Sequence, residues 1–171
     1  MKKIISIMLI GIMIFSFSGC TGEYDDCALI EGPEDVLAAV ADFSNTDKGR
    51  VAICDMAETN QWQLYACTVD EEFGYYLYAV KDDRGDFRIY GCGYHGGDSA
   101  EVIVICEDNG PVTLAVISDG TAKTLVLHND DTGEEQSFQL DKEGIASYLL
   151  DCDWDAFSAS FIDAGGKVIE H

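Results

Sequence analysis

From Val51 onward the chain alternates apolar and polar residues with a period of two, and polar turn clusters break the alternation about every ten residues. That rhythm restricts the fold to short strands joined by tight turns. Such strands pair antiparallel, because a parallel pair needs a crossover of roughly a dozen residues. Residues 51–57, 61–69, 74–80 and 87–94 read as four successive strands, separated by Glu58-Thr59-Asn60, Asp70-Glu71-Glu72 and Asp82-Asp83-Arg84-Gly85-Asp86. In residues 100–106, Val102-Ile103-Val104-Ile105 is apolar on both faces, which predicts a central position in a sheet. Asp108-Asn109-Gly110 then reads as a hairpin turn. Residues 112–117 and 123–127 form a further expected pair around Ser118-Asp119-Gly120, 136–140 reads as a weaker strand, and 157–162 with 168–169 closes the chain as a hairpin.

Two stretches carry a helical period instead. Gly32-Pro33-Glu34-Asp35 has proline at a first helical position and two carboxylates at the positive end of the dipole. Val36, Leu37, Val40 and Phe43 follow on one face. Further on, Asp141 reads as an N-cap before Ile145, Tyr148, Leu149 and Cys152 at helical spacing. The expected fold is therefore α+β: an antiparallel meander of about eight to ten short strands, one N-terminal helix and one helix in the C-terminal half. The alternative is an all-β sandwich.

The first twenty residues belong to a different regime. Lys2 and Lys3 precede an apolar run from Ile4 to Ser18, which is short of the roughly 20 residues needed to span a bilayer. A basic head, a short apolar run and small residues before a break make a cleaved secretory signal. The Ser18-Gly19-Cys20 ending resembles the lipobox of bacterial lipoproteins, with Phe17 where that family usually has leucine. The resemblance implies cleavage between Gly19 and Cys20, acylation of Cys20, and tethering to the extracytoplasmic face of a bacterial membrane. A single acyl chain holds only marginally, whereas two or more anchor stably. The organisation read here is a signal over 1–19, a lipidated N-terminus and short tether over 20–31, and one acidic domain over 32–171.

Losing Lys2 and Lys3 with the signal takes the formal net charge from −22 to −24. Phosphate would be repelled, which argues against nucleic acid, and anionic lipid headgroups would be repelled too, leaving attachment to the covalent lipid. The same charge suits a cationic peptide or the basic face of an envelope protein, although acidity also serves plain solubility.

Six cysteines follow Cys20: Cys27, Cys54, Cys67, Cys92, Cys106 and Cys152. An even number in an exported chain permits disulfides. A turn centred near Asn60 and Gln61 would set Cys54 opposite Cys67, the one pairing the spacing suggests. Cys92-Gly93-Tyr94-His95 lacks the second ligand pair of a zinc site. Asp151-Cys152-Asp153-Trp154-Asp155 has Ala156 and Ile162 where a calcium loop needs glycine and glutamate. His95-Gly96-Gly97 resembles the oxyanion turn of lipases without their nucleophile elbow. No catalytic residue, metal site or cofactor is assigned.

Trp62, Tyr65, Tyr75, Tyr76, Tyr78, Tyr90 and Tyr94 fall on consecutive predicted strands, and Trp62, Tyr65, Tyr76 and Tyr78 are the candidate binding surface. The same residues are ordinary strand formers that half-bury in a sheet. The expected function is a non-catalytic binding module. One alternative is a small hydrolase or thiol enzyme around Cys92, His95 and Asp98, and another is a structural envelope domain without a small ligand.

Overall fold

A computed structural model describes residues 27–94, 100–106, 112–140, 143–150 and 157–169. The expected signal over 1–19, Cys20, His95 to Asp98, the expected turn at 108–110, Asp141 and the 151–155 cluster lie outside the described residues. Helix α1 (Pro33–Ser44) is followed by a single 3-10 turn (Lys48–Arg50) and the strands β1 (Val51–Glu58), β2 (Trp62–Val69), β3 (Glu72–Lys81) and β4 (Phe87–Tyr94). Then come β5 (Ala100–Cys106), β6 (Val112–Ser118), β7 (Ala122–Asn129), β8 (Glu135–Gln139), β9 (Gly144–Leu150), β10 (Phe157–Asp163) and β11 (Val168–Ile169). Every pairing between these strands is antiparallel. The α+β architecture dominated by antiparallel sheet is thus as expected.

The strands do not form one meander. They divide into a first sheet β1-β2-β3-β4, a middle sheet β5-β6-β9 and an outer sheet β11-β10-β7-β8. Three separate hydrophobic clusters show how these layers stack. Val36, Val40 and Ala41 of α1 pack on Tyr65, Cys67, Val69, Leu77 and Ala79, so the helix covers one face of the first sheet. The opposite face of that sheet (Trp62, Leu64, Ala66, Tyr76) meets Ile103, Ala115, Ile117 and Ile145 of the middle sheet. The far face of the middle sheet (Leu114, Val116, Ala146, Tyr148) meets Leu125, Leu127 and Phe161 of the outer sheet. Both β2 and β6 are therefore buried on two faces, which accounts for their continuous apolar runs.

Three expectations are corrected by this stacking. The segment predicted as a second helix is β9, with Ile145 turned to the first sheet and Ala146 and Tyr148 to the outer one. Its seven-residue ladder with β6 pairs Val112 with Leu150 through to Ser118 with Gly144. Without that ladder, a row of β6 amides and carbonyls would lie unpaired between two sheets, a cost that outweighs helical periodicity. β5 is an edge strand, not a central one; its two apolar faces reflect a middle layer, not a lateral centre. β6 and β7 are not a hairpin either, because the turn at Gly120 (φ 85°) carries the chain from the middle sheet to the outer one.

Helix α1 follows its sequence closely. Pro33 occupies the first turn, the Asp35 carboxylate accepts from the Gly32 amide at 3.0 Å, and Asn45 ends the helix in left-handed conformation (φ 52°). Phe43, expected on the apolar face, is instead 51% exposed, since Ala41 takes the buried place beside Val40.

Hairpin β1–β2 shows how one extra residue redirects a strand. Glu58, Ala57, Met56 and Asp55 pair in order with Gln63, Leu64, Tyr65 and Ala66, which is the register that would set Cys54 opposite Cys67. A bulge intervenes, and Ile53 faces Cys67 instead. Cys54 is left in solvent while Cys67 is buried under α1, and both are free thiols, so the expected bridge is not formed. The bulge also reverses the alternation. Ile53 packs toward the helix, whereas Asp55 reaches across to accept the Ile145 amide of β9 at 2.9 Å.

Candidate functional site

The aromatic residues separate by face. Trp62 (1% exposed) and Tyr76 (3%) lie between the first and middle sheets with Tyr78 against them, and Tyr65 (8%) lies on the helix side. The candidate surface Trp62, Tyr65, Tyr76 and Tyr78 is therefore core, and this assignment is corrected: both faces of the first sheet are covered, one by α1 and one by the middle sheet. Burial, then Glu101, then Cys92 push the Tyr76 phenol above its ordinary range, as expected for an interior side chain.

Tyr75, which packs beside the cluster under α1, and Tyr94 form a separate, partly buried pair. Tyr75 and Tyr94 are directly cross-strand partners on β3 and β4, with stacked rings 4.4 Å apart and 29° between planes. Both are partly exposed. The Tyr94 hydroxyl donates to the Glu72 carboxylate, so the stack is fastened to the β2–β3 turn. That turn carries Asp70 (φ 53°) and Glu71 (φ 68°) in left-handed conformation, both exposed. Arg50 forks onto the Asp70 carboxylate, and the Asp70 amide donates to the Arg50 carbonyl at 2.9 Å. The C-terminal end of α1 arrives at the same place, where Asp42, Asn45, Thr46, Asp47 and Arg50 line a shallow polar depression. One end of the first sheet thus combines a tyrosine stack, the carboxylates of Glu71, Glu72, Asp42 and Asp47, and the negative end of a helix dipole. Chemically this suits a cation: the ring faces attract it through their quadrupoles and the carboxylates by charge. Tyr75 and Tyr94 were visible in the sequence among seven strand aromatics. The signal that singles them out is cross-strand pairing beside an acidic turn, which depends on the β4 bulge where Gly91 faces Tyr78 and Ile89 faces Ala79.

Among the described residues, Cys67 and Cys92 are poor nucleophiles. Burial pushes Cys67 up to about 12, with Cys54 and Cys92 adding to the shift, and burial pushes Cys92 up to about 11. Both are protonated at neutral pH. Iodoacetamide at pH 8 is therefore expected to label exposed Cys54 well before Cys67 or Cys92 in the folded protein, as read by peptide mass spectrometry. Early labelling of Cys92 would contradict the burial assigned to it. Among the described residues, no group of three or more His, Cys, Asp and Glu side chains is placed to hold a metal ion.

A second built feature lies on the β4 edge. Asp82 accepts from the amides of Arg84 and Asp86, each at 2.9 Å, and from the Arg88 guanidinium at 2.7 Å. The Arg88 contact, then the Asp86 and Arg84 amides, hold this carboxyl down to about 2. Because the folded value lies below the ordinary 3.8, its stabilising contribution is complete above about pH 4 and is lost as pH falls toward 2. The stability advantage of the native protein over Asp82→Asn is expected to shrink across that window in urea titrations, and an advantage independent of pH would refute the assignment. Arg88 also donates to the Cys27 carbonyl at 3.0 Å, which draws the start of the described chain onto the sheet.

Compared with known proteins, the chain matches no family model, no curated protein and no solved structure.

Proposed function

We propose that this chain is a lipid-anchored, non-catalytic module on the extracytoplasmic face of a bacterial membrane, binding a cationic peptide or the basic face of an envelope protein. The observation that carries this reading is the Tyr75–Tyr94 stack fastened to Glu72 beside the exposed Glu71. Charge supports it. Lys48, Arg50 and Arg88 are already engaged with Glu34, Asp70 and Asp82, so much of the scarce positive charge is neutralised within the fold. The anchor rests on the Ser18-Gly19-Cys20 ending and the apolar run before it. Protonated, half-buried Cys92 weighs against the thiol-enzyme alternative.

The test is calorimetric titration with a decalysine peptide, alongside intact-mass analysis of the protein from its native membrane. Binding should weaken as salt rises, and Tyr94→Ala should cost about 1–2 kcal/mol, or roughly five- to thirtyfold in Kd. Salt-independent binding, or none, would rule out the cationic partner. A mature N-terminus without lipid on Cys20 would rule out the anchor.

A further inference from the structure

The outer sheet turns one face inward, where Leu125, Leu127 and Phe161 meet the middle sheet. Strand alternation puts Thr124, Val126 and His128 of β7 on its other face, with Ser137 of β8 and Ser160 of β10 on either side of Val126. Val126, Ile162 and Val168 on this face belong to none of the three hydrophobic clusters, and Val168 is 51% exposed. The strand residues here carry a single carboxylate, Glu135, which faces His128 at 3.1 Å. On a chain of formal net charge −22, a face this nearly neutral is one that a like-charged copy can approach.

The charges flanking the face are sorted by end. At one end lie Lys123 and Lys167, both exposed and without an ion pair among the described residues. The Asp163 carboxylate nearby is turned into its own hairpin, accepting from the Gly165 amide at 2.8 Å and the Lys167 amide at 2.9 Å. At the other end the β7–β8 turn presents exposed Asp131 and Glu134, while Asp130 accepts from the Ser158 hydroxyl at 3.0 Å. Lys123 and Asn129 alone are about 20 Å apart along β7. A twofold axis lying between two such faces and crossing their strands brings the lysine end of each copy over the acidic turn of the other. A partner of one sign would suit one end and be repelled at the other. An inverted second copy suits both.

We propose that this chain forms a twofold dimer through the open face of its outer sheet, with Lys123 of each copy against Asp131 and Glu134 of the other. This dimer needs neither the membrane anchor nor the cationic partner of the first sheet. Three strands about 4.8 Å apart and about 17 Å long, with β11 beside them, offer roughly 300 Å² of flat face per copy. Stable dimers bury about 800 Å² per partner, so the association is expected to be transient, with a Kd on the order of 100 µM.

The experiment mixes equal amounts of unlabelled and nitrogen-15-labelled full chain in detergent solution at about 200 µM, above that Kd. A carbodiimide then joins lysines to touching carboxylates without a spacer. Peptides joining Lys123 to Asp131 or Glu134 should carry one labelled and one unlabelled half, because the two ends of one copy are too far apart to join. Ser137→Arg, at an exposed position beside Val126, sets like charges against each other across the axis and should reduce those peptides about tenfold. It also lowers the net negative charge, so the loss would not come from general repulsion. Lys123→Glu chains mixed with Asp131→Lys/Glu134→Lys chains should join at the same, exchanged positions. Joined peptides of a single isotope only, Ser137→Arg joining as well as the native chain, or no joining in the charge-exchanged mixture would each overturn the dimer.

Discussion

Replacing Gly144 with alanine is expected to remove about 3–5 kcal/mol of stability, a large share of the roughly 5–15 kcal/mol that holds a domain of this size. Two costs combine. Gly144 has φ 108°, a conformation that strains any residue with a β-carbon by about 1–3 kcal/mol. A β-carbon there would also lie 2.3 Å from the Asp55 carboxylate oxygen that accepts the Ile145 amide. Displacing that carboxylate leaves a partly buried amide unpaired, worth about 1–3 kcal/mol. The contact ties the first sheet to the middle one, so its loss should loosen the stack and not merely one turn. Urea midpoints would measure the effect, with Gly49→Ala as the control, since nothing lies within 4 Å of that position. In an Asp55→Ala background, only the backbone strain should remain. A loss near that of the control would refute the account.

Gly93→Ala is the second large effect. Its β-carbon would lie 2.2 Å from Tyr76 Cζ and 2.3 Å from the hydroxyl oxygen. The ring cannot readily retreat, because Tyr76 is 3% exposed and belongs to the cluster that includes Trp62, Leu64 and Ile103. Overpacking of this kind costs about 1–3 kcal/mol, and the rigid surroundings place Gly93→Ala near the upper figure. A double-mutant cycle separates the cause. Tyr76→Leu should be destabilising alone, yet adding Gly93→Ala to it should cost under about 1 kcal/mol. Additive losses would show that the glycine is needed for a reason other than the tyrosine ring.

Local patterns were legible wherever one segment carried its own instructions. The Pro33 start of α1, the four-strand order β1 to β4, and the Asp82 turn all follow from short-range periodicity and turn chemistry. The β1–β2 register was readable as far as Asp55 and Ala66 and failed at the bulge one residue further. A bulge serves two packed faces at once: Ile53 is needed under α1 and Asp55 is needed against β9, and a strict period of two cannot supply both. The candidate site moved for a related reason. Strand aromatics look alike in sequence, and only the covering layers decide that Trp62 and Tyr76 are core while Tyr75 and Tyr94 reach solvent.

The sequence alone determined that this chain is rich in antiparallel strands, that an N-terminal helix precedes them, and that the protein is strongly acidic. Those properties come from local backbone preference, side-chain alternation and a sum of charges, none of which requires knowing the neighbours. The tertiary structure decided that the strands split into three stacked sheets, that residues 144–150 form a strand despite helical spacing, and that Cys54 turns away from Cys67. Each of these outcomes depends on satisfying buried backbone groups and filling both faces of a layer, conditions set by partners distant in the chain.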